Sequence, residues 1–406
     1  MRILHTSDWH LGKKLEDIPR LDEQKDVLSE IVDIANNQNV DMIIIAGDIY
    51  DTSNPSNEAQ ELFYKTVKKL SNNGKRIIIA IAGNHDSSDG INAPDPIARI
   101  NGVFMIGDLN KVIPPFELDS GIELTKSESG FLEFKYKRFD YPIRILTTPY
   151  TNEVRLKKLL SAKHGEKEIL KLLEKKWLDL SDKYCDKNGV NILTAHLYMA
   201  GKGEVDNHEP EDERSILHIG GLRKLYTSAV PEAIQYTALG HLHKFNLFLN
   251  VSNSPIVYSG SILEYSFSES MQEKFVMISD IFPDSLPESK KIKLSSGRKL
   301  KRGRFDNIDN AIKWLNIHKE YFIELTIVTD TFIDTETQKM LYDCHERIVA
   351  IIPEVKSDSK NNDNEENFSL NESFDDLFER FFKFRNKGLE PTSEILELMK
   401  EIRGME

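Results

Sequence analysis

Eight acidic, amide and histidine side chains in this sequence belong to the types that bind metal ions and transfer protons. They occur in five short groups, each directly after an apolar run typical of a buried β-strand. The groups are Asp8 with His10, Asp48, Asn84 with His85, His196, and His241 with His243. Because open α/β sheets place their ligands beyond the carboxyl ends of the strands, this arrangement predicts one shared site.

This mixture of side chains suits the hydrolysis of a phosphodiester. Such a substrate is anionic and reacts through a five-coordinate phosphorus, so two cations about 3.5–4 Å apart can position the attacking hydroxide and neutralise the phosphate oxygens. One carboxylate must bridge the ions to keep them that close. Histidine, carboxylate and amide oxygen together favour Mn²⁺, Fe or Zn²⁺ over Mg²⁺, which prefers an octahedron of oxygens. Since no cysteine takes part, a structural zinc site is not expected.

Taken singly, each group also has an ordinary structural explanation. An Asp-x-His pair is more often a chance surface feature, Gly-Asp after a strand is often only a turn, and His196 alone would more often be a hydrogen-bonded core histidine. His241 and His243 are a stronger signal, because residues two apart point to the same side of an extended segment. The order of the five groups, each at a strand end, favours the functional interpretation.

The elements that must hold these groups are predicted by hydrophobic periodicity. Strands are expected at residues 2–6, 42–46 and 76–82. The connecting helices are predicted by apolar residues at i, i+3, i+4, i+7 spacing, which are Leu28, Ile31, Val32 and Ala35, then Ala59, Leu62, Phe63 and the Thr66/Val67 pair. Strands that alternate with helices indicate a βαβ sheet.

The rest of the first domain is predicted to be rich in strands. After turns and strands at 103–150 and a charged helical segment at about 152–182, strands are expected at 190–195, 236–239, 245–251, 256–258 and 275–278. Pro283 and Pro287 then indicate a boundary, so the first domain is predicted to span residues 1–282.

Three further segments complete the predicted organisation. Residues 283–355 alternate strand and helix patterns and should form a small α+β domain. Residues 356–370 are dominated by Ser, Asn, Asp, Glu and Lys, which predicts a flexible linker. Residues 371–406 contain two amphipathic helices, the first with an aromatic stripe that begins at Phe374. Spacing alone does not decide whether these helices fold back on the core or dock on a partner.

Composition limits the number of domains, the class of partner and the cellular compartment that can be expected. A chain of 406 residues exceeds what one hydrophobic core usually supports. Lys plus Arg number 53 and Asp plus Glu 66, so the formal charge of −13 has the wrong sign for a protein that binds DNA by itself. Cys185 and Cys344 match no metal or disulfide spacing, which indicates a reducing compartment. With no signal-peptide pattern and no apolar run of about 20 residues, we expect a cytoplasmic protein without a membrane span.

Five stretches of the sequence resemble, in order, the motifs of the calcineurin-like metallophosphoesterases and, within them, of the SbcD nuclease subunits. The stretches are residues 8–12, 47–51, 83–86, 194–196 and 238–243. The resemblance covers residues 1 to about 282. It implies an α/β fold in which a βαβ sheet sandwich is flanked by helices, with a small α+β capping domain and a C-terminal helical tail added.

The resemblance also implies roles for individual residues. Asp8, His10 and His243 would bind one ion, Asn84, His196 and His241 the other, and Asp48 would bridge them. His85 would protonate the leaving 3′ or 5′ oxygen or steady the phosphate, and Asp51 would orient His85. The reasoning from residue types supports the same set of ligands but does not assign each histidine to an ion.

Differences from other branches of the family also bear on function. The run from Tyr50 to Ser53 departs from the Asp-Arg-Gly of Ser/Thr protein phosphatases, and Asp86 stands where those enzymes have Glu. Both differences favour the nuclease branch. Some relatives have a histidine where this chain has Asp51.

The implied activity is a DNA nuclease with two divalent metal ions, for which Mn²⁺ is the expected choice. It would degrade double-strand ends 3′ to 5′ and cut single strands or hairpins, in DNA repair, replication and recombination. The implied partners are DNA, an SbcC-type coiled-coil ATPase gripped by residues 371–406, and a second copy of the chain within a heterotetramer. Residues 283–355 would shape DNA access as the capping domain.

Two alternatives remain beside the nuclease. A phosphoesterase for a cyclic nucleotide or a phosphoprotein would need neither the capping domain nor the tail. A non-catalytic scaffold is disfavoured because none of the ligand positions has been replaced.

Several other polar residues could serve either function or structure. Lys13, Lys14 and Arg20 follow the first motif and would either contact DNA phosphates or lie in a solvated loop. Six histidines lack ligand spacing and are expected to be structural or exposed, namely His5, His164, His208, His218, His318 and His345.

Overall fold

The structure is a computed structural model that describes residues 1–150, 166–201, 225–329 and 333–355, with isolated positions from 378 onward. It contains two compact units, of which the first comprises residues 1–301 and 320–322 and the second residues 302–319 and 323 onward. The predicted linker at 356–370 and most of the predicted tail at 371–406 lie outside the described residues. Strands and helices are numbered below in chain order.

A six-stranded sheet forms one layer of the first unit. In spatial order its strands are β18 (Glu288–Lys293), β17 (Phe275–Asp280), β1 (Arg2–Thr6), β4 (Met42–Ala46), β5 (Ile77–Ile81) and β6 (Val103–Ile106). Strands β1, β4, β5 and β6 are parallel, whereas β17 is antiparallel to β1. The carboxyl ends of β1, β4 and β5 therefore lie along one edge of the sheet.

An eight-stranded sheet forms the second layer. In spatial order its strands are β15 (Asn246–Leu249), β16 (Pro255–Tyr258), β14 (Tyr236–Gly240), β11 (Val190–His196), β10 (Ile143–Thr148), β9 (Phe131–Tyr136), β8 (Ile122–Glu128) and β7 (Phe116–Glu117). Strands β10, β11, β14 and β16 are parallel, so the carboxyl ends of β11 and β14 are also side by side.

The remaining described elements of the first unit are short strand pairs and helices. The pairs are β2 (Lys14–Leu15) with β3 (Ile18–Pro19) and β12 (Met199–Ala200) with β13 (Leu225–Tyr226). The helices are α1 (Leu21–Asn37), α2 (Asn57–Leu70), α3 (Ser88–Asn92), α4 (Asp95–Ala98) and α5 (Glu166–Tyr184). Three single 3-10 turns lie at Arg99–Asn101, Thr227–Ala229 and Phe267–Glu269.

The two sheets pack face to face and carry helices on their outer faces. Ile3, Ile44 and Ile79 of the first sheet share a core with Ile145 and Ile192 of the second. The outer face of the first sheet is covered by α1 and α2, and that of the second by α5. Strand β4, Met-Ile-Ile-Ile-Ala, is buried on both faces, which explains its unbroken apolar run. The predicted βαβ sandwich flanked by helices is confirmed.

The first unit extends beyond the boundary predicted at residue 282. Strand β18 pairs with β17 from Phe275 opposite Lys293 to Asp280 opposite Glu288, which attaches residues 288–293 to the first sheet. Its sequence, Glu-Ser-Lys-Lys-Ile-Lys, is almost entirely exposed at the sheet edge. Because an exposed edge strand lacks alternating apolar residues, hydrophobic periodicity could not detect it.

The elements that follow have the predicted order of strand, helix, strand, helix, strand. They are β19 (Leu300–Phe305), α6 (Ile308–Ile317), β20 (Phe322–Thr329), α7 (Thr335–Cys344) and β21 (Ile348–Val355). The three strands form one sheet in chain order, with β20 parallel to β21. Within the described part of the chain, no helix is both long and apolar enough to cross a lipid bilayer.

Candidate metal centre

Two loops at strand ends, residues 7–12 after β1 and 47–51 after β4, are joined by main-chain hydrogen bonds. Asp8 N donates to Gly47 O and His10 N donates to Asp48 O, both at 3.0 Å. Asp8, His10 and Asp48 have φ angles of 52°, 45° and 48°, in the left-handed region. That conformation costs a residue with a side chain about 1–3 kcal/mol and persists only where the surroundings impose it. The two loops therefore hold their side chains in fixed directions.

Asp8, His10 and His243 form a buried cluster whose potential ligand atoms lie within 4.8 Å of one another. The Nε2 atoms of His10 and His243 face each other at 3.0 Å. Nδ1 of His243 lies 3.0 Å from Glu269 Oε1, and since a carboxylate only accepts, Nδ1 carries the proton. In neutral His243 the Nε2 lone pair therefore faces the cluster, as in metal-binding histidines backed by a carboxylate.

Asn84, His196 and His241 form a second cluster. His196 Nδ1 donates to Ala46 O at 2.9 Å, so Nε2 of the neutral ring is a lone pair. That Nε2 lies 2.9 Å from Asn84 Oδ1, and His241 Nδ1 lies 3.0 Å from the same oxygen. Two lone-pair atoms this close repel each other unless a proton or a cation lies between them. The chemistry of these donors therefore fits a cation.

Asp48 lies between the two clusters. Its Oδ2 is 3.6 Å from His10 Nε2 and 3.5 Å from His196 Nε2. Its Oδ1 accepts a hydrogen bond from His85 N at 2.9 Å, which fixes the orientation of the carboxylate. Asp48 is only 2% exposed, so its charge is not screened by water. A carboxylate in this position can contact a cation on either side.

Burial and mutual charge shift the pKa values of these groups. Burial raises the pKa of Asp8. Burial opposes ionisation of Asp48, but the charge and hydrogen bond of His196 outweigh it and hold the pKa of Asp48 well below its usual value. Burial also disfavours protonation of His196, but Asp48 and Asp8 overcome it and raise the pKa of His196 to about 9. Without metal, the site thus holds a proton where a cation would fit.

His85 lies at the rim of the site and is half-buried. Its Nδ1 donates to the main-chain oxygen of Asp51 at 2.8 Å, and its ring centroid is 4.8 Å from that of His10. The Asp51 carboxylate instead pairs with Lys13 Nζ at 3.0 Å and approaches His10 Nδ1 to 3.7 Å. Asp51 thus contacts His85 through its backbone and not through its carboxylate.

Two acidic residues support the site in ways that the sequence did not reveal. Asp86 accepts hydrogen bonds from Gly83 N at 2.8 Å, Ile49 N at 3.0 Å and Tyr50 N at 2.9 Å, which joins the loop after β5 to the loop after β4. Burial, with the nearby charge of Asp48, raises the pKa of Asp86 to about 6. Glu269 is 26 residues from the histidine that it orients, so no local pattern could have identified it.

Glycines allow the close approach of these loops at two positions. Gly47 has a φ of +93°, and a Cβ there would lie 2.1 Å from His196 Nδ1. A Cβ at Gly240 would lie 1.9 Å from Ala46 O. Any side chain at either position would push apart the strand ends that carry the candidate ligands.

Other predictions about polar residues had mixed outcomes. Arg20 is 1% exposed and paired with Glu23, so both predicted alternatives for it, a contact with DNA phosphate and a place in a solvated loop, are wrong. Lys14 is exposed, and Lys13 is half-buried beside Asp51. His5 is buried, with Nδ1 3.1 Å from the Tyr236 hydroxyl, and burial lowers the pKa of His5 to about 3. A neutral histidine in the core agrees with a structural role.

Comparisons with known proteins fit this geometry. A model of the calcineurin-like phosphoesterase family matches residues 1–245. The chain is 31% identical over 408 residues to the SbcD component of nuclease SbcCD from Bacillus subtilis (strain 168), covering 99% of this chain and 97% of that protein. A protein of the same name from Staphylococcus epidermidis is also 31% identical, covering 89% of this chain and 87% of that one.

Solved structures with much lower sequence identity were also found. A dimetal phosphatase from Danio rerio has a TM-score of 0.38 and 12% identity, covering 73% of this chain and 99% of that one.

Proposed function

Because this chain belongs to the calcineurin-like phosphoesterase family and, within it, to the SbcD nuclease subunits, we propose that it is a metal-dependent nuclease that hydrolyses DNA phosphodiesters. The observation that carries the proposal is the meeting of histidine and Asn84 lone pairs around the buried Asp48 carboxylate. Such a cluster suits divalent cations with mixed nitrogen and oxygen ligands, and we propose two ions of Mn²⁺.

The proposed ligand assignment follows the two clusters. Asp8, His10 and His243 would bind one ion, Asn84, His196 and His241 the other, and Asp48 would bridge them. The separate histidine contacts support this division, since His10 and His243 face each other while His196 and His241 share the Asn84 oxygen. The bound cations would polarise the phosphate and activate a water molecule.

His85 is the proposed catalytic acid. Because its Nδ1 hydrogen is used by the main-chain oxygen of Asp51, a second proton on the ring must be at Nε2. Protonated His85 can donate that proton to the leaving oxygen or to a phosphate oxygen, whereas neutral His85 can only accept there. Asp51 would act as a positioning residue for His85.

We propose that the chain works with an SbcC-type ATPase in the cytoplasm, as a 3′ to 5′ exonuclease on double-strand ends and an endonuclease on single strands and hairpins. These activities would serve DNA repair, replication and recombination. The formal charge of −13 disfavours DNA binding by this chain alone and supports the proposal that the partner supplies much of the DNA-binding surface. Residues 371–406 would bind the ATPase, the strand and helix elements from β19 to β21 would shape access as a capping domain, and two copies would pair in the assembly.

A gel assay on labelled linear duplex and hairpin DNA tests the proposal. The full chain is incubated with Mn²⁺ or Mg²⁺, alone and with the partner ATPase. We expect Mn²⁺-dependent cleavage of single strands and hairpins by the chain alone, and degradation of duplex ends when the ATPase is added. Cleavage that persists in EDTA, or no cleavage of any DNA with Mn²⁺ and the partner present, would contradict the proposal.

A further inference from the structure

We propose that Gln24 and Tyr265 are positioning residues that hold the 8–12 loop in the shape needed to bind a metal ion. The inference rests on the proposed function, since this loop carries Asp8 and His10. Both Gln24 and Tyr265 lie outside the five motifs.

Gln24 holds the loop at two points with one side chain. It lies in the first turn of α1 and is fully buried. Its Nε2 donates to His10 O at 2.7 Å and to the Tyr265 hydroxyl at 3.0 Å, while its Oε1 accepts from Gly12 N at 3.0 Å. The reversed amide would place oxygen against oxygen at His10 and N–H against N–H at Gly12, so only one orientation is satisfied.

Tyr265, 241 residues from Gln24 in the sequence, holds the same loop by a second set of contacts. Its hydroxyl donates to Trp9 O and accepts from Gln24, so both of its hydrogen-bonding roles are used. Its ring centroid lies 5.6 Å from that of His10 and 6.2 Å from that of His243. Tyr265 therefore contacts the loop backbone and both histidines of one proposed ion site.

The loop needs such a clamp because its backbone is strained. Asp8 and His10 have φ angles of 52° and 45°, which strain a residue with a side chain, and Gly12 follows at 93°, which glycine adopts without strain. Gln24 and Tyr265 bind the Trp9 carbonyl, the His10 carbonyl and the Gly12 N–H, which fixes the peptide planes between and after these residues. Without those bonds, the loop would relax towards ordinary backbone angles, and the His10 ring would move away from His243.

The helix that carries Gln24 is itself held in place. Arg20, just before α1, is buried, and its guanidinium pairs with Glu23 and donates to Glu264 O at 3.0 Å. The same guanidinium lies 5.0 Å from the centre of the Phe322 ring. This support explains why Arg20 is buried rather than free to contact phosphate, and it makes the first turn of α1 a fixed base for Gln24.

Two conservative variants of the full chain test the proposal. Gln24→Glu keeps the size and the acceptor for Gly12 N, but its carboxylate, when ionised, cannot donate to His10 O, and Tyr265→Phe removes only the hydroxyl. The matched control is Tyr136→Phe, which removes a buried hydroxyl that donates to Lys75 O at 2.8 Å, before the amino end of β5. Mn²⁺ affinity is measured by calorimetry on metal-free protein, together with the metal-free denaturation midpoint and with kcat and KM on hairpin DNA.

We expect Gln24→Glu and Tyr265→Phe to weaken Mn²⁺ binding about tenfold or more, as loss of a residue that orients a ligand does. Saturating Mn²⁺ should restore much of kcat, and KM for DNA should stay unchanged. Tyr136→Phe should lower the denaturation midpoint similarly but leave Mn²⁺ affinity intact.

Three outcomes decide the matter. Wild-type Mn²⁺ affinity in both variants, with DNA cleavage intact in the wild-type chain, overturns the positioning role alone. If the wild-type chain neither binds Mn²⁺ nor cleaves DNA, the proposed function and this inference both fail. Should Gln24→Glu not fold, Tyr265→Phe decides by itself, because its ring still fills the core.

Discussion

Replacing Glu269 with glutamine should both destabilise the fold and weaken one side of the metal centre. The Glu269 carboxylate accepts hydrogen bonds from His243 Nδ1 at 3.0 Å, from Ser261 Oγ at 3.1 Å and from Lys274 Nζ. Glu269 and Lys274 are 3% and 4% exposed, and no second carboxylate among the described residues pairs with Lys274. The variant therefore leaves a buried ammonium group without a counter-ion.

The size of the effect follows from that buried charge. Removing one partner of a buried ion pair costs about 3–5 kcal/mol of unfolding free energy, because the remaining charge stays desolvated. Lys274→Met removes the other charge, so the double variant should lose about 0.5–3 kcal/mol less than the sum of the two single losses. Glu269→Gln should also weaken Mn²⁺ binding about 10–100-fold, since His243 loses the carboxylate that fixes its tautomer.

Urea denaturation of the four metal-free proteins, followed by circular dichroism, gives the unfolding free energies, and calorimetry gives the Mn²⁺ affinities. Loss of less than about 1 kcal/mol in Glu269→Gln, or strictly additive losses in the double variant, would refute the argument from the buried charge. Unchanged Mn²⁺ affinity would refute the argument that Glu269 orients His243.

Further predictions concern the ligands, a glycine and the tail. His85→Ala should keep its metal in elemental analysis, because the main-chain N–H at position 85 still binds Asp48. Its rate of DNA cleavage should fall about 10²–10⁴-fold. Asp48→Ala should lose both the metal and the activity. Gly47→Ala should lose at least about 1–2 kcal/mol of unfolding free energy in urea denaturation, because φ at position 47 is +93°. The added Cβ should also displace His196 and so weaken Mn²⁺ binding. A variant with unchanged stability and Mn²⁺ affinity would contradict the close contact between Gly47 and His196. With a folded pKa of about 9 against 6.5, protonated His196 stabilises the metal-free fold fully below pH 6.5, and this stability is lost as pH rises through 9. Mn²⁺ must displace that proton, so its affinity should rise between pH 6.5 and 9, with proton release detected by calorimetry in buffers of different ionisation enthalpy. Deleting residues 371–406 should abolish pull-down of the ATPase while Mn²⁺-dependent cleavage of single strands continues; a complex that still forms would exclude the tail as its binding site.

Local periodicity predicted the elements that build the sandwich. Strands β1 and β4 match the predicted bounds, and the stripe that begins at Leu28 is buried along α1, because burial on one face imposes a regular apolar spacing. The meeting of the candidate ligands within each sheet was also predictable. Parallel strands end at the same edge of a sheet, so side chains that follow neighbouring strands lie close together. That the edges of the two sheets meet depends on how one sheet packs on the other, which local spacing does not encode.

The support around the ligands could not be predicted in the same way. Glu269, Gln24 and Tyr265 contact the metal loops through tertiary packing, at sequence distances where no local pattern exists. The burial of Arg20 was not predicted, because an arginine in a polar stretch is ordinarily exposed. Here its charge is neutralised by Glu23 inside the protein. Contacts of this kind depend on which elements pack against each other. The spacing of residues within one element does not predict that packing.

The position of β1 within its sheet has a consequence for synthesis of the chain. Arg2 pairs with Asp280, so β1 acquires one of its two neighbours in the sheet only after β17 has been synthesised. Until then, the nascent chain exposes an open edge of β1 to other extended peptides, which invites aggregation. Slow translation or premature termination before residue 280 should therefore yield insoluble fragments rather than a smaller working enzyme.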